Sequence, residues 1–236
     1  MKIEKIQIDG IPALLWGEKS NKLYIAIHGN MSNKEDTVIR ILADVATTKG
    51  YQVLSFDLPE HGERKEDISI QCNPQNCIKE LNQIMSYAKE NFDVINIWVC
   101  SMGAYFSLLT YNEAPIIQCI FLSPVVNMKT IIDNMMLWSN VSKEELKEKN
   151  EIKTDFGPTL YWDYYKYVEE NPIIKWDKKT YILYGSNDDM QSKELVIDFC
   201  HSFNCNLTIV EDGEHFFHTD EQLAHYKKWL NEVITK

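Results

Sequence analysis

The sequence predicts an α/β fold: a mostly parallel central sheet of about eight strands, covered by helices on both faces and interrupted by one helical insertion. Two observations predict it. Runs that are almost wholly apolar, such as residues 23–27, 94–100 and 116–122, alternate with segments whose apolar residues recur at helical spacing, and strands apolar on both sides belong to a sheet covered on both faces. The alternation breaks once, between about residues 125 and 176, where a charged helical stretch and an aromatic cluster stand instead. The expected organisation is one α/β core over 1–124 and 176–236, with 125–175 inserted.

The elements follow in order. Residues 2–8 and 11–16 read as two strands joined at Asp9-Gly10, a dipeptide that tolerates the positive φ of a tight hairpin turn. The strand at 23–27 ends in His28-Gly29; after it, Ser32-Asn33-Lys34-Glu35 fits a capping box, and Val38, Ile41, Leu42 and Val45 fall on one helical face that Lys49-Gly50 terminates. The strand at 52–56 runs into the loop Asp57-Leu58-Pro59-Glu60-His61-Gly62. Asn73-Pro74 supplies an N-cap and a first-turn proline, with Ile78, Leu81, Ile84, Met85 and Ala88 at helical spacing behind them. Further strands are expected at 94–100, 116–122, 180–184 and 207–210. Ser142-Lys143-Glu144-Glu145 opens a charged helix inside the insertion, and Thr219-Asp220-Glu221-Gln222 caps a last helix with Leu223, Tyr226, Leu230 and Val233 facing inward.

A chain of 236 residues with 44% hydrophobic and 25% charged residues is long enough to bury one sizeable core and has ordinary globular composition. Its formal net charge of -11 repels phosphate backbones and anionic lipid, so no nucleic acid partner and no membrane insertion are expected. The first residues alternate like a strand and lack a signal peptide's apolar centre, and no later run approaches a membrane span. A cytoplasmic protein is the expectation. The six cysteines, at 72, 77, 100, 119, 200 and 205, lack the tight spacing of zinc ligands, so reduced structural thiols are expected, with a Cys72–Cys77 or Cys200–Cys205 redox link as the alternative.

The chemistry gathers around Ile97-Trp98-Val99-Cys100-Ser101-Met102-Gly103-Ala104, where an apolar strand meets a serine and then small residues that open a helix. A serine held on so tight a turn projects its hydroxyl from the end of the sheet, and Gly103 lets strand and helix pass closely. A hydroxyl is a weak nucleophile and needs a base within hydrogen-bond reach and a carboxylate to orient that base. Asp188, in Gly185-Ser186-Asn187-Asp188, and His215, in Gly213-Glu214-His215-Phe216, each follow a strand, at the carboxyl edge where open α/β sheets bind ligands. Alone, Ser101 reads equally well as a helix N-cap. Centring the motif on Cys100 would place Trp98 and Met102 at positions that must be small.

This arrangement resembles the α/β-hydrolase family: a nucleophile elbow, then an acid turn, then a histidine turn, in that order, with the elbow departing from the family pattern at Val99. The resemblance implies Ser101 as nucleophile, His215 as base and Asp188 as its orienting acid. Asp189 and His218 compete with the last two, and the family's other acid position, here Ser123-Pro124-Val125-Val126, offers no carboxylate. It implies an oxyanion hole from the backbone N–H groups of Met102 and Asn30, the latter following His28-Gly29 as in the family's His-Gly loop. Asp57 to Arg64 resembles the family's Asp-x-x-Gly-His-Gly-x-Ser segment, with Glu60 and Arg64 replacing glycine and serine. The insertion resembles the family's lid, and Met135, Trp138, Tyr161, Trp162 and Tyr165 are expected to wall an acyl pocket. The implied activity is a carboxylesterase on small or medium uncharged acyl esters, a small-molecule acyl substrate with no metal or other cofactor required. Thioesterase, lipase-like and aminopeptidase activities use the same triad, and a ligand-binding protein of the same fold is the non-catalytic alternative.

Overall fold

The structure, a computed structural model, describes residues 1–67, 69–155 and 157–235. The chain opens with β1 (Ile3–Ile8) and β2 (Ile11–Trp16), paired antiparallel with Ile8 opposite Ile11, so the turn is Asp9-Gly10, both at positive φ. There follow β3 (Lys22–Ile27), α1 (Thr37–Thr48), β4 (Gln52–Phe56), a short 3-10 turn at Gly62–Arg64, α2 (Pro74–Asn91), β5 (Val94–Cys100), α3 (Met102–Thr110) and β6 (Ile116–Leu122). The insertion comprises α4 (Met128–Trp138), α5 (Lys143–Lys149), β7 (Glu151–Lys153), β8 (Thr159–Tyr161) and α6 (Trp162–Glu170). The chain ends with β9 (Thr180–Gly185), α7 (Lys193–Phe203), β10 (Asn206–Val210) and α8 (Asp220–Val233).

The central sheet has eight strands in the order β1-β2-β4-β3-β5-β6-β9-β10. It is antiparallel between β1, β2 and β4 and parallel from there on, which matches the expected mostly parallel sheet. Two apolar layers sandwich it. One takes Leu81 and Ile84 of α2, Ala104 and Phe106 of α3, and Val196 and Phe199 of α7; the other takes Ile39 and Leu42 of α1 and Tyr226 and Leu230 of α8. Each such Leu or Ile, removed from water, contributes roughly 1.5–3 kcal/mol, which is why these short helices hold on the sheet. β5 lies in the middle and is buried along both faces, so its carboxyl end reaches the rim of the molecule at a fixed height.

Three local expectations are corrected. The capping box at Ser32 does not form: α1 starts at Thr37 behind Asp36, because Lys34 is drawn to the buried Asp57 and Ser32 donates to the Asp36 carboxylate. The insertion is not purely helical, since β7 and β8 form a small antiparallel hairpin within it. On α8, Trp229 and Gln222 are buried while Leu223 and Val233 are only half-buried. The insertion's Ile132, Met136, Leu146, Leu160 and Val168 join the same apolar layer as α2 and α3 instead of closing a core of their own. No helix among the described residues is long and apolar enough to cross a membrane.

Candidate active site

Ser101 sits between β5 and α3 with φ 50° and ψ -121°, a backbone conformation that costs a non-glycine residue of order 1–3 kcal/mol. Tertiary bonds hold it there: the Ser101 N–H donates to Leu122 O at 3.1 Å, and Ser101 O accepts from Val125 N at 3.0 Å. Gly103 is what allows the turn, since a Cβ there would lie 2.5 Å from His28 O and 2.7 Å from Ile27 O. Val99 does not relax it. That side chain lies fully buried in the layer shared with Ala104 and Phe121, on the sheet face away from Cys100. Cys100 points to the opposite layer, where burial pushes its thiol far above the ordinary range.

The structure brings Ser101, His215 and Asp188 into one hydrogen-bonded line. Ser101 Oγ lies 2.8 Å from His215 Nε2, and His215 Nδ1 lies 2.8 Å from Asp188 Oδ2. With a carboxylate as acceptor, the ring carries its proton on Nδ1, which leaves Nε2 free to accept from the serine. The other Asp188 oxygen accepts from Met190 N at 2.9 Å and Gln191 N at 3.1 Å, and the side chain is 1% exposed. Asp189 is exposed, and His218 hydrogen-bonds its own loop at Phe216 O and pairs with Glu214. The acid and histidine turns meet because both are glycine at the crossing, where a Cβ on Gly185 would fall 2.3 Å from Gly213 O.

The loop after β3 passes directly over the serine. Gly29 is so close that a Cβ would lie 2.8 Å from Ser101 Cβ. Asn30 comes next, and neither its N–H nor that of Met102 has a protein acceptor among the described residues. Met102 is the first residue of α3, where the N–H groups have no intrahelical partner and the helix dipole favours negative charge.

A buried polar scaffold supports this loop. His28 donates from Nδ1 to Gly29 O at 2.7 Å and accepts at Nε2 from Leu58 N–H at 3.1 Å; its burial pushes the pKa down to about 4, so the ring is held neutral. Asp57, fully buried, accepts from Lys34 N, Glu63 N and the Lys34 ammonium; burial works against that ammonium, yet Asp57 and Glu63 hold its pKa above the ordinary value. Arg64, which stands where the family has serine, makes a buried two-pronged pair with Glu80 at 2.6 and 2.7 Å and donates to Asp57 O.

Gln191 and Tyr105 escaped the sequence reading. Gln191, 1% exposed, accepts from Val126 N at 3.0 Å and Asn127 N at 2.8 Å, tying the acid turn to the root of the insertion. His61 reaches Asn30 Oδ1 from Nε2 at 3.2 Å. Tyr105 of α3 and Tyr164 of α6 carry buried hydroxyls without a hydrogen-bond partner among the described residues. Of the residues expected to wall a pocket, Tyr165 is buried within the insertion, stacked on Trp162 and covered by the Lys129 and Lys143 ammonium groups, while Lys147 lies over Trp162. Those two rings pack the insertion, whereas Met135 and Tyr161 are half-buried and Trp138 is exposed. A cleft of about 540 Å³ lined by Trp176, Lys179, Phe203 and Asn206 lies at the opposite edge, before β9 and β10, remote from Ser101.

No protein-family model matches the sequence, and no curated protein is significantly similar to it. Solved structures are. The chain superposes on Est1E from Butyrivibrio proteoclasticus with bound ferulic acid at a TM-score of 0.80 and 21% identity, over 97% of this chain and 96% of that one. The mouse alpha/beta hydrolase domain-containing protein 10 gives 0.77 and 12%, over 99% and 98%. The thioesterase domain from the curacin biosynthetic pathway gives 0.64 and 13%, over 98% and 99%. At these identities the likeness is one of fold, and it spans nearly the whole of each chain.

Proposed function

We propose that this chain, an α/β-hydrolase by fold, is a serine hydrolase that cleaves carboxylic esters of small or medium, uncharged acyl groups through an acyl-enzyme. The observation that carries the reading is the line from Ser101 Oγ to His215 Nε2 and from His215 Nδ1 to Asp188 Oδ2, 2.8 Å at each step, on a serine held at φ 50°. Ser101 Oγ attacks the ester carbonyl carbon as its proton passes to His215 Nε2, and Asp188 stabilises the imidazolium that forms. The carbonyl oxygen, now carrying the charge, accepts from the Asn30 and Met102 N–H groups. His215 returns the proton to the leaving alcohol; water then enters by the same route and releases the acid.

Exposed apolar side chains close in sequence to Asn30, His215 and Asp188 support an apolar acyl group. Met31, directly after Asn30, is 92% exposed, Phe216, directly after His215, is 62% exposed, and Met190 follows Asp188 by two positions. Large apolar groups gathered at a rim favour contact with an apolar ligand. Met135, Trp138 and Tyr161 are the insertion's contribution to that wall, and the insertion is proposed to act as the lid over 125–175. The reading needs no cofactor, and the cell compartment proposed is the cytoplasm.

A fluorophosphonate probe tests it. Labelling should map to Ser101, vanish in Ser101→Ala and fall sharply in His215→Ala, and p-nitrophenyl esters of rising chain length should show a maximum at short or medium acyl groups. Hydroxycinnamoyl esters belong in the panel because Est1E carries ferulic acid. Labelling that persists in Ser101→Ala would end the assignment, and binding of these esters without turnover would favour a ligand-binding role.

A further inference from the structure

Cys72 and Cys77 meet because of the way α2 begins. With Asn73 as N-cap and Pro74 first in the helix, Cys72 precedes the cap and Cys77 is the fourth helical residue, the two positions whose side chains close over a helix entry. Their sulfurs are 3.8 Å apart and both thiols are free. The entry is pinned on both sides: Asn73 Oδ1 accepts from Asn76 N at 2.9 Å, and Cys72 N–H donates to Glu60 Oε2 at 2.8 Å.

The two sulfurs are not equivalent. Burial pushes the Cys77 thiol well up, so it keeps its proton, whereas the partly exposed Cys72 is drawn below the ordinary range by Cys77 and by His61 beside it. A thiolate at a helix N-terminus next to an imidazole is the reactive form of cysteine. The ionisable groups around the pair are His61, Glu60, Glu80, Arg64 and Tyr164.

His61 connects the pair to the site. Its Nδ1 faces Pro59 O at 2.7 Å and its Nε2 faces Asn30 Oδ1 at 3.2 Å, so both ring nitrogens meet acceptors, and only the imidazolium donates to both. Burial disfavours that charge, but Cys72, Pro59 and Glu60 together hold the His61 pKa above the ordinary value.

We propose that Cys72 and Cys77 are a peroxide-responsive dithiol whose closure to a disulfide withdraws the anion that supports His61 and loosens Asn30 beside Ser101. The Cys72 thiolate attacks one peroxide oxygen; the O–O bond breaks, Cys72 becomes a sulfenic acid, and the departing oxygen leaves as alcohol or water after taking a proton from solvent. The Cys77 sulfur then attacks the Cys72 sulfur, the S–S bond forms, the S–O bond breaks, and the hydroxide released takes the Cys77 proton. One peroxide is reduced and two thiols lose two electrons in all. Only the last clause, the effect at Asn30, rests on the hydrolase reading.

The test treats the whole chain with stoichiometric hydrogen peroxide near neutral pH and alkylates it before and after reduction. The tryptic peptide from Glu66 to Lys79 carries both sulfurs, so a disulfide appears there as two protected thiols and a loss of two hydrogens, reversed by dithiothreitol. It should oxidise at least about tenfold faster than the peptides holding Cys119, Cys200 or Cys205. Cys77→Ser should stop at a sulfenic acid trapped by dimedone, and Cys72→Ser should not react. Both thiols still free after peroxide, or an equal rate at Cys200, overturns the site. Turnover of p-nitrophenyl acetate should fall about tenfold on oxidation, part of what one oxyanion donor supplies, and recover on reduction; a disulfide with turnover unchanged overturns the link to Asn30. The mass readout holds whether or not the chain hydrolyses esters, so failure of the dithiol and failure of the hydrolase reading are separate results.

Discussion

A Cβ at Gly29 would lie 2.8 Å from the Cβ of Ser101 and 3.4 Å from its Oγ, so the loop carrying Asn30 is pressed against the serine with no room for a methyl group. Gly29→Ala must move that loop away from the serine or move the serine off its turn. The fold depends on neither, since the core layers lie elsewhere. Ester kcat/KM should fall by about 10²–10³-fold, the scale of a lost oxyanion donor, while a thermal melt stays within about 4 °C of the parent, the shift that roughly 1 kcal/mol produces in a chain of this length. Full turnover in a folded Gly29→Ala would remove Asn30 from the proposed oxyanion site.

Asp188 and Asp189 are neighbours with opposite environments. Asp188 accepts three hydrogen bonds and is hidden, whereas Asp189 is exposed. Asp188→Asn replaces the acceptor facing His215 Nδ1 by an amide that can hold the wrong tautomer, and kcat should drop by about 10³–10⁴-fold. Asp189→Asn should stay within about twofold, as a solvent-facing side chain does. Steady-state kinetics of the pair decides between them, and equal damage from both would reopen the choice of acid.

Much of this arrangement was legible because each piece is written locally. Apolar runs mark strands, Asn73-Pro74 marks a helix start, and glycines mark the elbow and the two later turns, where backbones must pass within a few ångströms. What was not legible depends on partners distant in sequence. Lys34 leaves the expected capping box because Asp57 pulls it, and the β7–β8 hairpin has strands too short for any periodicity to register. The ring of Trp162 reads as pocket wall from composition alone, yet Tyr165 and Lys147 occupy its faces. Cys72 and Cys77 are an intermediate case: their spacing across a helix start was visible, but His61 beside them was not.

His28 makes stability depend on pH with a definite sign. The folded ring, at about 4, stays neutral where the unfolded ring, at the ordinary 6.5, takes a proton. Between those values the unfolded state binds more protons, so the stability His28 contributes is complete above 6.5 and is lost as pH falls toward 4. The loss amounts to about 3 kcal/mol at most, from a difference of roughly 2.5 pH units at 1.36 kcal/mol each. Urea unfolding midpoints measured across this window should fall more steeply for the parent than for His28→Gln, which has no titrating ring. Parallel curves would mean that His28 is not held neutral.

Gln191 joins two parts of the chain that the sequence keeps 64 or more residues apart, through bonds to Val126 N and Asn127 N from one carboxamide oxygen. Its Nε2 returns a bond to Asn127 O at 3.2 Å, and the Tyr184 hydroxyl holds the Gln191 carbonyl at 2.7 Å. Gln191→Ala removes the acceptor from the buried Val126 N–H and the part-buried Asn127 N–H, and an unmade bond to a buried group costs about 1–3 kcal/mol. The variant should therefore lose about 2–4 kcal/mol in urea unfolding. Amide exchange at Val126 and Asn127 should rise first, because their protection comes from this side chain and not from a helix or strand. Turnover should fall as well, since the Gln191 N–H that steadies Asp188 Oδ1 belongs to the same turn. If exchange at Val126 and Asn127 stays slow in Gln191→Ala, the root of the insertion is held by its own packing on α2 and α3, and Gln191 serves only the acid turn.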